Sequence, residues 1–336
     1  MDAKITKKRL ARLLSYDWIK IVALAIVAIV VWSLIFTMTA TRITPAQQFT
    51  VFNYRCNRTL TDTYYDSFDS ALSGKNKIFS YEVIEGTTND LATAGEYAST
   101  LLEARTATEE GDVILIPNIP DGATATVDEA TGETSYQYSY IETFLFSYFP
   151  HIYELKGENG YFAQLEKLLN EYYKGDYTNE NNLDTEKVER VFLNRAEKNN
   201  DKRFKKQAKI EQGIRDEIER IKKYRAAYIE FNEYLTSGLV EFTDVKIVYG
   251  EGENDYREGA YALNICPDET KAEKLKDFFS YTTVEKDSND EDVYKATAQD
   301  MNVLFFDFDG VEESFQYESL LYVNYLIRSS VIIKGA

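Results

Sequence analysis

The stretch IKIVALAIVAIVVWSLIFTM, Ile19 to Met38, constrains this chain more than any other segment. It carries one charge, Lys20 at its edge, followed by eighteen uncharged, mostly apolar residues. As a helix rising 1.5 Å per residue it reaches roughly 27–30 Å, the thickness of a bilayer's hydrocarbon core. Trp18 and Trp32, the two tryptophans of the chain, lie at or within it, where amphipathic rings suit a membrane interface. A buried core helix is the competing reading, but such helices rarely run this long without polar residues.

Flanking charge predicts the orientation. Lys4, Lys7, Lys8, Arg9, Arg12 and Lys20 precede or open the span, against Asp2 and Asp17. By the positive-inside rule the N-terminus stays in the cytoplasm and the bulk of the chain lies outside the cell. The apolar run is longer than the roughly 7–15 residues of a signal-peptide core, and no Ala-x-Ala cleavage site follows it. "NYRC", ending at Cys56, lacks the small or apolar residues that a lipoprotein signal needs before its cysteine. The expectation is an uncleaved signal anchor at 18–40, with a cytoplasmic tail at 1–17 and an extracellular domain at 41–336.

Residues 1 to 42 hold seven basic and two acidic residues, a net +5; with −18 for all 336 residues, the remainder carries −23. Such a domain repels phosphates, which disfavours nucleic acid and anionic membrane surfaces as partners, so no nucleic-acid partner is expected. The charge also keeps an exported domain soluble. Hydrophobic residues make up 44% of the chain, ample for a buried core. Cys56 and Cys266 both fall beyond the anchor and each ends a predicted strand. Oxidising surroundings permit a disulfide between them; two reduced, buried thiols are the alternative.

Periodicity then organises the exported part. "QFTVFNY" reads as a strand, and "DTYYDSFDSALSG" as a helix with Leu60, Tyr64, Phe68 and Leu72 on one stripe. "KIFSYEVIE" alternates as a strand, "NDLATAGEYASTLLEARTAT" reads as a helix capped by Asn89 or Asp90, and "GDVILIP" as a short strand. Strand and helix in alternation imply right-handed crossovers and a parallel sheet, so the lobe is α/β. Residues 119 to 138 read as an exposed loop or hairpin.

A helix-rich region, about 139–238, follows. "YFAQLEKLLNEYY" and "DTEKVERVFLNRAEK" are helical, and from Asp201 to Thr236 Ile214, Ile218, Ile221, Tyr224, Tyr228, Phe231 and Leu235 recur on one face. That face packs on its own domain or forms a coiled-coil arm; Gly238 stops the helix. Strands return in "VEFTDVKIVYG" and "EGAYALNIC", helices are expected in "DETKAEKLKDFFSY" and near "DEDVYKATAQD", and an amphipathic helix ends the chain. The α/β lobe is thus predicted at about 46–118 plus 239–336.

The most chemical phrase is "NVLFFDFDGVEES", residues 302 to 314, which resembles the first motif of the haloacid dehalogenase-like phosphohydrolases. That chemistry also needs a Ser or Thr, a phosphate-neutralising Lys and a magnesium-holding carboxylate pair on later strands. Only 26 residues follow Gly310. The phrase reads instead as a buried strand, a turn at Asp309-Gly310, and a helix opened by Glu312 and Glu313. There is no GxSxG elbow, phosphate loop or GxGxxG fingerprint, and one histidine, His151, builds no multi-histidine zinc site. "DSNDED" echoes a calcium loop but has Asp292 where glycine is needed, so a solvated acidic loop is the better reading. The expectation is a non-enzyme with no cofactor and no metal.

Taken in order, "FTVFNY", then "YEVIEGTTNDLATAGEYASTLLEARTATEEGDVILIPN", a helical middle and the returning strand "EGAYALNIC" are similar to the bacterial extracellular solute-binding proteins. The resemblance spans about residues 46 to 118 and 239 to 266 and rests on hydrophobic patterns. It implies a two-lobed periplasmic-binding fold of the second type, serving an ABC permease by delivering a sugar, peptide or similar small solute. Ligand contacts would come from strand ends: Tyr54 and Arg55 after the first strand, Glu85 after the second, Asn118 after the third. The chain departs from the family in its anchor and in having no tryptophan beyond residue 32, which implies a degenerate sugar platform. The alternative is an envelope structural or interaction protein whose ectodomain docks a protein partner through the long helix or the acidic face.

Overall fold

The structure is a computed structural model, and it describes residues 18–39, 48–58, 78–80, 85–91, 97–128, 134–198, 201–248, 256–269, 275–276, 279–286, 291–308 and 316–332. The predicted cytoplasmic tail, the helix expected around Tyr64 and Phe68, and the turn at Asp309-Gly310 with Glu312 and Glu313 lie outside these residues. The chain divides into two compact units, Met1–Ile43 and Thr44–Ala336.

In the first unit, helix α1 (Trp18–Thr39) contains one stretch, Trp18–Thr37, that is long and apolar enough to cross a membrane, with mean hydropathy 2.8. Every side chain from Trp18 to Thr37 is exposed, unlike those of a core helix. The hydroxyl of Thr37 donates back to the Ser33 carbonyl, which hides one of its few polar groups.

The second unit mixes helix and sheet. Its main sheet has six strands in the order β3-β1-β4-β11-β8-β7. These are β1 (Gln48–Asn53), β3 (Glu85–Asp90), β4 (Val113–Pro117), β7 (Glu241–Val248), β8 (Tyr256–Asn264) and β11 (Met301–Phe305). The first three are parallel, β1 lying between β3 and β4. Strand β11 runs antiparallel to both β4 and β8, and β7 antiparallel to β8.

Strand β4 reads VILIP because both of its faces are covered. Val113 and Leu115 enter one core with Phe49, Val51, Met301, Val303 and Phe305; Ile114 and Ile116 enter another with Phe52 and Leu304. Burying each of these side chains stabilises the fold by about 1.5–3 kcal/mol. The first core is covered by α4 (Tyr161–Tyr172), α5 (Thr185–Lys198), α6 (Gln207–Thr236) and α7 (Glu318–Ile332). The second is covered by α2 (Ala98–Ala107) and α3 (Tyr140–Tyr148). The helix-rich middle therefore packs on its own sheet.

The 30-residue α6 buries Ile221, Tyr224, Tyr228 and Phe231 on one face, as the spacing predicts. It starts at Gln207 rather than Asp201, because Asp201 caps a 3₁₀ turn at Lys202–Phe204 by accepting from the Arg203 amide. A Cβ on Gly213 would stand 2.4 Å from Phe192 and 2.6 Å from Phe204, so glycine is required where α5 crosses. Gly238, with φ +66°, closes the helix. Buried Glu217 accepts from Arg195 of α5 at 2.8 Å and from Arg220 one turn on, which pins the two helices together.

Three expectations fail. Asn89 and Asp90 do not cap a helix; they lie in β3, paired with Phe52 and Asn53 of β1, and α2 starts only at Ala98. The backbone ladder along Glu85–Asp90 outweighs the capping tendency of these side chains. The helix expected through Phe279–Tyr281 is strand β9 (Phe279–Lys286), where buried Phe279 and Tyr281 alternate with Ser280 and Thr282. The helix near Asp292 is strand β10 (Asp292–Thr297), joined to β9 as an antiparallel pair and clamped at its start by Lys286 and Asp292 at 2.8 Å. Lysine, glutamate and alanine around these segments suggest helix, but β-branched and aromatic positions set the pairing. With β2 (Asn57–Arg58) they form a small sheet of order β10-β9-β2. An exposed hairpin of β5 (Ala125–Val127) and β6 (Thr134–Tyr136) occupies the segment read as a loop or hairpin.

Candidate functional site

The strand order reverses at β1: β3 lies on one side and β4 on the other. In open α/β sheets such a reversal leaves a crevice at the carboxyl ends of the strands. Residues following β1 and β4 occur there, and the connections to the small sheet leave from the same edge, after Cys56 and before Ala298.

The structure brings Tyr54, Arg55 and Asn118 to this edge. Tyr54 donates its amide to the Leu115 carbonyl of β4 at 2.9 Å, and the Asn118 amide donates to the Asp300 carbonyl at 2.9 Å. The exposed Arg55 guanidinium sits 5.4 Å from the Tyr54 ring and 5.1 Å from the Tyr140 ring. Although the residue is exposed, partial desolvation of the guanidinium under the two rings lowers its pKa, but Tyr54, Tyr140 and buried Asp121 outweigh this and hold it above the usual value. Tyr140 opens α3, whose start is fixed by a capping box: Ser139 accepts from the Glu142 amide, and Glu142 from the Ser139 amide at 2.7 Å.

Glu85 is not part of this group. It begins β3 opposite Gln48, the first residue of β1, and so lies at the amino edge of the sheet. The alternation of "KIFSYEVIE" points to a strand ending at Glu85; the pairing puts the strand after it.

Two backbone conformations mark the carboxyl edge. Arg55 (φ +60°) and Asp300 (φ +51°) are left-handed without being glycine. Glu109 and Lys174 share that conformation but simply follow the ends of α2 and α4. Asp300 is held by Asn264, whose amide donates to its carboxylate at 3.0 Å, and by a backbone bond to the Cys266 carbonyl at 2.9 Å. Asn53, the last residue of β1, is fully buried, and its side-chain amide has no hydrogen-bond partner among the described residues.

Cys56 and Cys266 are both buried, and the structure holds them as thiols rather than as a disulfide. The Cys56 thiol donates to the Leu115 carbonyl at 3.5 Å and that of Cys266 to the Asp268 carbonyl at 3.9 Å. Each thiol thus has a carbonyl of its own, the alternative open to the sequence.

At the amino edge lies a cleft of about 500 Å³, with walls from α2, the end of α3 and the segment after β11. Glu103, Glu109, Tyr148, His151, Asp307 and Phe308 line it. His151 ends a 3₁₀ turn at Phe149–His151, and its carbonyl accepts from the Asp307 amide at 2.8 Å. The fold thus draws together the single histidine and the first aspartate of the Asp-x-Asp-Gly phrase, two residues that sequence reasoning treats separately. Among the described residues no group of three His, Cys, Asp or Glu is placed to hold a metal ion. A row of rings, Tyr54–Phe144 at 5.7 Å and Phe144–Tyr148 at 4.9 Å, runs along α3 between the strand-end group and the cleft.

A buried acidic pair lies beneath the sheet's other face. The Asp112 carboxylate accepts from the Thr50 amide at 2.7 Å. That of Glu318 accepts from the Tyr224 hydroxyl at 2.7 Å, the Ser80 amide at 3.0 Å and the Ser80 hydroxyl. Burial pushes Asp112 up to about 7, with Thr50 opposing and the charge of Glu318 adding. Burial also raises Glu318, against its hydrogen bonds to Ser80 and Tyr224 and the charge of Arg220. Asp112 keeps part of its residue surface while its carboxylate is enclosed, so its shift follows the carboxylate. These groups tie β1, β4, α6 and α7 together and do not line the cleft.

No protein-family model, curated protein or solved structure matches this chain.

Proposed function

We propose that this is a membrane-anchored solute-binding protein of the cell surface, without catalytic activity of its own. Helix α1 anchors it with the N-terminus in the cytoplasm, and residues from about 41 onward stand outside the cell. The unit captures a small solute, such as a sugar or peptide, and delivers it to an ABC permease. In this reading the six-stranded sheet is the core of one lobe, and the small sheet β10-β9-β2 is a reduced second lobe of a periplasmic-binding-like fold.

The observation that carries the proposal is the reversal of strand order at β1, with Arg55 in a left-handed backbone between the Tyr54 and Tyr140 rings. A cation flanked by aromatic faces at a topological switch point suits a ligand with polar groups around an apolar body. Asn118, directly after β4, adds a side-chain amide at the same carboxyl edge.

A melting screen of residues 44–336 against sugars, amino acids and short peptides tests it. A ligand at 100 times its Kd adds about 2.7 kcal/mol of stability. The expected result is a melt raised by one ligand class in the wild type and unchanged in Arg55→Ala. If no class shifts the melt while a partner protein co-purifies, the solute-binding reading fails. One observation favours that second reading, an envelope interaction protein: β10 is an edge strand, with Tyr294 and Val293 exposed along it.

A further inference from the structure

The small sheet ends on an open edge. In the order β10-β9-β2, β10 has β9 on one side and, among the described residues, no strand on the other. It pairs with β9 without a break, from Asp292 with Lys286 to Thr297 with Tyr281, and it contains no proline. The backbone groups on its outer side therefore form a regular row, which templates pairing with another strand unless proline, a bulge or charge blunts it. Asp292 to Ala296 are all exposed. Tyr294, 69% exposed, and Val293, 37% exposed, put apolar surface on opposite faces of the edge.

Charge argues for the occupant. The chain beyond residue 42 is strongly acidic, so a basic partner is drawn to its acidic faces rather than to this strand. Strand β10 holds one acid and one base, Asp292 and Lys295, and Lys286 of β9 bridges Asp292 at 2.8 Å. A locally neutral edge is where two acidic copies approach with least repulsion. Two antiparallel strands related by a two-fold axis set one residue opposite its own copy and keep like faces together. Centring on Asp292 or on Lys295 sets like charges face to face, and centring on Tyr294 sets Lys295 against Val293. Centring on Val293 instead sets Glu291, exposed directly before β10, against the second copy's Lys295, with the two valines between.

We propose that β10 is the contact surface for a second copy of this chain, the two strands pairing antiparallel about Val293 so that the small sheets of both copies become one continuous sheet. Glu291 and Lys295 fix the register at each end of the pairing. The contact is a different place from the strand-end group and holds whether or not that group takes a solute. A ladder this short is a small interface, so the dimer is weak and is best trapped covalently.

The test uses the full-length chain in detergent micelles at constant ionic strength, with the rate of disulfide-linked dimer formation under mild oxidation as the readout. Cys56 and Cys266 are buried, so the wild type sets a low background. A cysteine facing its own copy across two paired strands lies within disulfide reach. Val293→Cys should therefore dimerise at least tenfold faster than Val284→Cys, whose position on the inner strand β9 is 55% exposed and so more open to random collision. Adding Lys295→Glu to Val293→Cys should slow dimerisation at least fivefold, and adding Glu291→Lys to that pair should restore it. The proposal is overturned if the two cysteine variants dimerise equally, if the charge reversal changes nothing, or if the second reversal fails to restore the rate. All the substituted side chains are exposed, and the comparison with Val284→Cys decides the matter even if a charge variant folds poorly.

Discussion

At the scale of single residues, the buried carboxylate of Asp112 makes the sharpest statement about pH. Its folded pKa, about 7, lies above the roughly 3.9 of an unfolded chain. The folded state therefore holds this proton more tightly, and its contribution to stability, present in full below about pH 4, is lost as pH rises towards 7. Urea midpoints at pH 5 and pH 8 should show the wild type weaker at pH 8. Asp112→Asn should narrow that difference by an amount on the order of 1–3 kcal/mol. An unchanged difference in the variant would remove Asp112 from the account. Tyr224→Phe is a second probe: it deletes the 2.7 Å bond to Glu318 and should cost about 1–3 kcal/mol by leaving a buried carboxyl with one donor fewer. At this scale the sequence was legible where a residue follows a strand directly, as Tyr54, Arg55 and Asn118 do. It was not legible for Glu85, because pairing of Gln48 with Glu85 decides where β3 begins, and that pairing is a contact between distant residues. Asp112 and Glu318 are 206 positions apart, and nothing local announces that they share a buried site.

At the scale of elements, periodicity is dependable where it is long. Helix α6 repeats its apolar stripe through many turns, so its buried face could be read directly. Ala226 lies on the exposed side of that helix. Ala226→Pro should cost about 3 kcal/mol or more by breaking the ladder, whereas Ala226→Gly should cost about 1 kcal/mol. Circular dichroism melts of the two variants check the contrast, and equal melts would mean that α6 is not continuous there. Gly213→Ala tests the crossing with α5. Helix propensity alone favours alanine by about 1 kcal/mol, yet the added Cβ meets Phe192 and Phe204, so a lower melting temperature is expected. Short strands were harder to read. Strands β9 and β10 are flanked by helix-forming residues, and their identity depends on Phe279 and Tyr281 finding a core made by residues far away in sequence.

For the whole molecule, the apolar α1 and the acidic remainder are legible from composition alone, because span length and charge need no tertiary information. That β1 and β4 run parallel was legible too, from the alternation of strand and helix; the place of β3, at Glu85–Asp90 rather than within "KIFSYEVIE", was not. The antiparallel partner of β4 was not, since β11 arrives there from residue 301 after almost the whole chain has folded back. Two regions of opposite character result: a carboxyl edge holding an arginine between tyrosines, and an amino-edge cleft lined by carboxylates. A solute-binding role rests on the first of these.

The most direct measurement is a backbone amide titration of residues 44–336 by nuclear magnetic resonance, with the ligand class that raises the melt. The account predicts shifts concentrated at residues 53–56, 118–121 and 139–140, saturating together and abolished by Arg55→Ala. Shifts confined to other surfaces, or a complete set of amides unmoved by sugars, amino acids and peptides alike, would contradict it.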